Sequence, residues 1–248
     1  MVWLKDSKLQ AVILAGGLGT RLRPYTFLLP KPMLPVGPKP IMEHILEWLK
    51  EWGVTNVVVS TSYLGKMLQE YFGTGKEWGM RIAYTNSPHP LGTAGQLKAA
   101  EAKIRGRFVC IYGDQLLNFD LREAVDFHLK KKAAATMVLM KYSTELKYGF
   151  METDDEGRLT DWKEKPTISG YINVGCYIME KSFLRYISPG RVYEMNDAFK
   201  EAKAGGAKLY AVKVDGTFMD IGDRKSFRDA NELYTKNLQK GGVEKRKL

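Results

Sequence analysis

Cysteine is scarce in this chain of 248 residues: there are two, Cys110 and Cys176, each inside an apolar run. Two thiols so placed exclude a disulfide framework and a cysteine metal site, and they read as buried free thiols in a reducing, cytoplasmic compartment. The three histidines, His44, His89 and His128, lack metal-ligand spacing. No apolar run reaches the roughly twenty residues that a membrane helix needs. The first ten residues mix Lys5, Asp6 and Lys8 with Trp3 and Leu4 and so lack the apolar segment of a signal peptide. Internal repeats and low-complexity linkers are missing as well. Hexapeptide repeats, which would mark a β-helix, are absent too.

What is present describes a globular chain, with 44% hydrophobic and 27% charged residues. The formal net charge is +10. Such an excess suits nucleic acid, an anionic membrane or small phosphorylated substrates. No RRM, KH or helix-turn-helix pattern supports nucleic acid, and part of the excess lies in the tail, at Lys240, Lys245, Arg246 and Lys247.

Strand and helix patterns alternate. Leu9–Leu14, Asn56–Ser60, Arg81–Tyr84, Phe108–Tyr112 and Ala135–Tyr142 read as strands. Between them, Ile41–Trp52 carries apolar residues at the helical period, and Leu64–Phe72, Ala94–Ile104 and Leu121–Lys132 read as helices. This alternation predicts an α/β fold with a mainly parallel sheet covered by helices. The second part differs. Tyr148–Thr153 and Arg158–Lys163 flank Asp154-Asp155-Glu156-Gly157 as a hairpin, followed by strands at Tyr171–Met179, Lys208–Val214 and Thr217–Met219. Helices near Glu194–Ala204 and Arg224–Asn237 complete the pattern. The expected organisation is an extension (1–8), one domain (9–237, in two parts, 9–142 and 143–237) and a basic tail (238–248).

Two segments carry chemistry. Leu14-Ala15-Gly16-Gly17-Leu18-Gly19-Thr20-Arg21 follows a buried strand, and its glycines let a base or phosphates approach the backbone. It matches neither a Walker A loop nor the dinucleotide fingerprint, because the required residues do not follow. Then come five prolines between Pro30 and Pro40, with Lys31 locked between two of them. Such rigidity aims a cation, although a rigid surface loop fits the same pattern.

Together, Leu14 to Pro35 resembles the signature of the sugar nucleotidylyltransferase family, which includes glucose-1-phosphate thymidylyltransferases and mannose-1-phosphate guanylyltransferases. The resemblance implies a Rossmann-like, nucleotide-diphospho-sugar transferase fold. It also implies Mg²⁺-dependent transfer of a nucleoside monophosphate from an NTP to a sugar 1-phosphate. By the same resemblance, Leu14, Gly16, Gly17, Gly19, Thr20 and Gly92 would contact the nucleotide. Tyr148, Gly149, Glu164, Asn173 and Gly175 would contact the sugar. Asp114 and Asp220 would hold Mg²⁺, and Arg21, Lys31 and Lys165 would act on the phosphates. Leu91-Gly92-Thr93-Ala94-Gly95 is most similar to guanylyltransferase members, which points to GTP and, with it, mannose 1-phosphate.

Two departures stand out. Asp223-Arg224 replaces a Thr-Pro common in the family, so Asp223 could cap a helix or add charge near the metal. Gln115 follows Asp114 where other polar residues are common. Two rival readings share the architecture. A non-catalytic paralogue would have lost a charged position, whereas all five are present. A glycosyltransferase would carry Asp-x-Asp, which Asp114-Gln115-Leu116 does not. Sugar, base and any homo-oligomeric state are left open by these motifs.

Overall fold

The structure, a computed structural model, describes residues 9–239, with side chains through residue 236. The expected 1–8 extension lies outside them, as does the basic tail apart from the helical backbone of 238–239.

In chain order the elements are β1 (Gln10–Ala15), α1 (Tyr25–Leu28), β2 (Pro35–Val36), β3 (Lys39–Pro40), α2 (Ile41–Glu51), β4 (Asn56–Thr61), α3 (Gly65–Phe72) and β5 (Arg81–Asn86). There follow α4 (Gly92–Ala99), β6 (Phe108–Tyr112), β7 (Gln115–Phe119), α5 (Leu121–Lys131), β8 (Ala135–Glu145), β9 (Phe150–Thr153) and β10 (Leu159–Lys163). The last are β11 (Thr167–Met179), α6 (Met195–Ala204), β12 (Leu209–Lys213), β13 (Gly216–Asp220) and α7 (Arg224–Gln239).

Seven strands form the central sheet in the order β12-β8-β11-β6-β1-β4-β5. Every pairing is parallel except those of β11, which runs antiparallel to β6 and β8. The sheet is thus mixed and mainly parallel, with helices on both faces. Alternation along β1 shows why. Ala11, Ile13 and Ala15 enter one buried cluster, with α2 and α5, while Val12 and Leu14 enter the other, with α4 and α6. A strand covered twice must be apolar throughout, and five of the six β1 residues are buried. Cys110 and Cys176 are both buried and unbridged.

The elements expected from sequence are found, most of them shifted by a few residues. Trp52 closes α2 rather than extending it, and the Ala94–Ile104 helix breaks at Ala100 into a separate 3₁₀ turn. Apart from the two-residue β2 and β3, the strand missed from sequence is β7. It follows Gly113-Asp114, which reads as an ending, and its partner β13 lies about a hundred residues further on. This small antiparallel pair, Gly216↔Phe119 through Asp220↔Gln115, carries Asp220 to the sheet end where Asp114 lies.

Gly216 makes the pairing possible. A Cβ there would stand 2.3 Å from the Asn118 carbonyl oxygen, a backbone atom that cannot swing aside. Gly216→Ala is therefore expected to destabilise the fold by about 1–3 kcal/mol, in the range of overpacked sites. Denaturant unfolding measures this, and an unchanged midpoint would show that the β7–β13 pair tolerates displacement.

Candidate active site

Parallel strands leave their carboxyl ends free, and a crevice opens where the strand order reverses. Here the chain runs from β1 out to β4 and β5 and then returns to β6 on the other side of β1. The predicted glycine loop leaves β1 at this point, and Gly113-Asp114 leaves β6. The Gly113 N–H donates to the Leu14 carbonyl at 2.9 Å, which ties the two ends together.

Lys31 begins a short 3₁₀ turn whose entry is set by Pro30 and whose second residue is Pro32. The constrained backbone aims the side chain inward, and Lys31 is 9% exposed. Its ammonium pairs with the Asp114 carboxylate. Asp220 comes to the same place along β13, and the Ile221 N–H donates to the Asp114 carbonyl at 2.9 Å. Arg21, in the 3₁₀ turn after the glycines, directs its guanidinium over Gly222 beside the Asp220 carboxylate. Two cations and two carboxylates from four separate segments thus converge.

Electrostatics records the crowding. Burial, and then the Asp114 carboxylate, push the Asp220 carboxyl above its ordinary range, while Lys31 and Arg21 pull it back. Asp223 is held below the usual carboxylate range by Ser226, whose N–H donates to it at 2.8 Å. It caps α7, which answers the first of the two roles open for it. Arg224 donates to the Arg23 carbonyl and fastens the loop exit to the same helix end.

A cavity of about 110 Å³ opens beside this cluster, lined by Leu14, Ala15, Gly17, Lys31, Tyr112, Asp114 and Gln96 among others. Gln96 is a site residue that sequence reasoning missed. Its Oε1 accepts from the Gly16 N–H at 2.7 Å and clamps the glycine loop onto α4. It stands one position beyond the Leu91–Gly95 motif, and a buried polar residue in an Ala-rich helix was the available signal. Gly16, Gly19 and Thr20 lie in the loop as expected. Gly92 adopts φ +69°, and the groups crowding it are the Tyr193 carbonyl and the Glu194 carboxylate, each 2.7 Å from where a Cβ would stand.

The sugar-side candidates form two groups. Gly175, on β11, lies against the Gln115 amide and the Tyr112 ring, and its N–H donates to Asn173 Oδ1 at 2.9 Å. Tyr148, Gly149, Glu164 and Lys165 lie further out around the β9–β10 hairpin, where Tyr148 is 81% exposed. Lys165 is exposed with φ +44°. Among the described residues, no hydrogen bond or ion pair joins Tyr148, Glu164 or Lys165 to the aspartates. No group of three or more His, Cys, Asp or Glu residues suited to a metal occurs among them either. Two hard carboxylates fit Mg²⁺, which completes its shell with phosphate oxygens and water.

This constellation defines a class. The nucleotidyl transferase family model matches residues 10–237, and the chain belongs to that family. It is 36% identical to the UTP–glucose-1-phosphate uridylyltransferase of Synechocystis, over 96% of this chain and 67% of that one. It is 34% identical to the mannose-1-phosphate guanylyltransferase of Mycobacterium tuberculosis, over 89% and 63%. The D-glycero-alpha-D-manno-heptose 1-phosphate guanylyltransferase of Aneurinibacillus thermoaerophilus matches at 36% over 90% and 97%. The chain thus spans about two thirds of the first two relatives and nearly all of the third. HddC from Yersinia pseudotuberculosis, solved with GMP-PN, shares the fold with a TM-score of 0.72 at 24% identity, covering 91% of this chain and 99% of that one.

Because the folded pKa of Asp220 lies above its unfolded value, its contribution to stability is present below the unfolded pKa. It is lost as pH rises through the folded one. At neutral pH the carboxylate therefore costs stability. Asp220→Asn should raise the thermal midpoint of metal-free protein at pH 7, with the gain shrinking as pH falls to about 4. A lowered midpoint in calorimetry with chelator would mean that the cations outweigh burial and Asp114.

Proposed function

We propose that the chain transfers a nucleoside monophosphate from an NTP to a sugar 1-phosphate and releases pyrophosphate, with GTP and mannose 1-phosphate as the reading best supported for the pair. The observation that carries the reaction is the convergence of Lys31 and Arg21 on the Asp114–Asp220 pair at the β1/β6 crevice. GTP is supported by the Leu91–Gly95 motif and by two relatives named guanylyltransferases, against one named for UTP.

The chemistry needs no strong base, since the attacking phosphate oxygen is already anionic near neutral pH. That oxygen forms a bond to the α-phosphorus, the bond from the α-phosphorus to the α–β bridging oxygen breaks, and pyrophosphate departs with the electron pair. The barrier is repulsion between two anions, so fixed positive charge and in-line placement lower it. Lys31, held by its prolines and by Asp114, supplies charge beside the α-phosphate. Arg21, exposed at the mouth, offers a planar fork to the β- and γ-phosphates. Lys165, in the bend between β10 and β11, receives the sugar phosphate. Gly16, Gly17 and Gly19 let the nucleotide lie on backbone. Asp114 and Asp220 would hold Mg²⁺, which when bound neutralises triphosphate charge.

Arg21→Ala is expected to lower kcat by about 100-fold or more, as for removal of one transition-state donor. The fold should be unchanged, because the side chain is exposed. Near-normal turnover would remove Arg21 from the mechanism. Pyrophosphate release across a matrix of four NTPs and glucose, mannose, N-acetylated and heptose 1-phosphates tests the reaction and identifies the pair. A matrix with no productive combination overturns the reading.

A further inference from the structure

Helix α4 begins without a cap of its own, because Leu91 at its N-cap position offers no side-chain acceptor. The first N–H groups of a helix have no partner within it and must find one outside. Here a single distant stretch of chain serves them. The Thr93 N–H donates at 3.2 Å to Oε2 of Glu194, 101 residues away in the chain. The Ala94 and Gly95 N–H groups donate to the Tyr193 carbonyl at 2.9 and 3.0 Å. In return, the Tyr193 N–H donates to the Leu91 carbonyl at 2.8 Å.

The same residues open α6. Glu194 stands at its N-cap position, where Ser, Thr, Asp and Asn are preferred because their short side chains reach the helix's own N–H groups. The Glu194 carboxylate makes no such bond. It turns to α4 instead, where it also accepts from the Thr93 hydroxyl at 2.8 Å. Thr93 Oγ1 in turn accepts from the Met195 N–H at 2.7 Å, at the start of α6. Each helix thus caps the other. A carboxylate at the positive end of α4 is favourable, and it fills a place that a substrate phosphate could otherwise take. Gly92 shows how close the contact is, since Glu194 Oε1 lies 2.7 Å from where its Cβ would stand. Thr93 meanwhile lines the cavity together with Gly17, Lys31 and Asp114.

We propose that Glu194 is a positioning residue for the NTP. It acts through Thr93, fixing where the Gly92–Thr93 turn stands opposite the glycine loop. The next turn of α4 is already pinned to that loop, because Gln96 accepts from the Gly16 N–H. The slot between loop and helix therefore has one end held by Gln96 and the other by Glu194. Discrimination between bases needs groups held at set distances, so freeing one end costs the preferred base more than its competitors. Glu194 is exposed, so water can serve the Thr93 N–H when the carboxylate is removed, and the fold survives. The inference rests on the nucleotidyl-transfer reading above.

The test compares wild type with Glu194→Ala and with Glu194→Gln, which keeps an acceptor for Thr93. Initial rates are measured with ATP, GTP, UTP and dTTP and the most productive sugar 1-phosphate. Binding of each NTP with Mg²⁺ is measured separately by equilibrium dialysis. Glu194→Ala should raise KM for the preferred NTP about fivefold to tenfold, the worth of one or two net hydrogen bonds. Its preference over the next-best NTP should narrow by a similar factor, while kcat at saturation and KM for the sugar phosphate stay in place. Glu194→Gln should restore most of the affinity and of the preference. Equal weakening of every NTP and of the sugar phosphate, or a loss that follows a fall in Tm, would make Glu194 a structural cap alone and overturn the assignment. Unchanged kinetics would overturn it as well. Wild type that forms no nucleotide sugar with any pair would sink the reaction class. In that case, selectively weaker binding of one NTP by Glu194→Ala would still uphold the positioning role.

Discussion

The structure depends on holding like charges together until anionic substrates arrive. Asp114 and Asp220 are brought beside each other, and the pairing of Lys31 with Asp114 makes this tolerable. A largely buried ion pair adds little net stability, because desolvation of both groups offsets their attraction. Its value here is positional. A lysine on a flexible stem would sample many rotamers, whereas one fixed between prolines and paired with a carboxylate is oriented before substrate binds. Fixed charge of this kind needs no reorganisation during reaction.

The surrounding fold serves that constraint. β1 and β6 end together and hand over a glycine loop and an aspartate at the same level. The β7–β13 pair returns a distant part of the chain with the second aspartate. α7 begins immediately beyond, capped by Asp223, and through Arg224 holds the loop that carries Arg21. Gln96 fastens the other side of the loop. None of these contacts is chemical in role. Each removes freedom from a group that must meet phosphate at a set position.

Much of the fold was legible. The apolar runs of β1, β4 and β6 and the helical period of α2 predict a doubly covered sheet, because burial on both faces demands uninterrupted hydrophobicity. Lys31 was legible through its prolines and Arg21 through its glycines, since both are local backbone devices. Gln96 was not, because it is a single polar residue whose meaning depends on a partner far along the chain, Gly16. β7 was hidden for the same reason, because a strand following a strand-ending Gly-Asp shows itself only beside β13.

By itself, the sequence determined which segments bury, where the backbone is stiff or bare, and which charged residues stand at strand ends. These are properties of neighbouring residues and of local steric and solvation preferences. Tertiary structure alone decided that Lys31 would meet Asp114, that Asp220 would cross from β13 to join them, and that a bulge in β11 would press Gly175 onto Gln115. Those outcomes follow from strand order and register, which arise only when distant segments compete for one core.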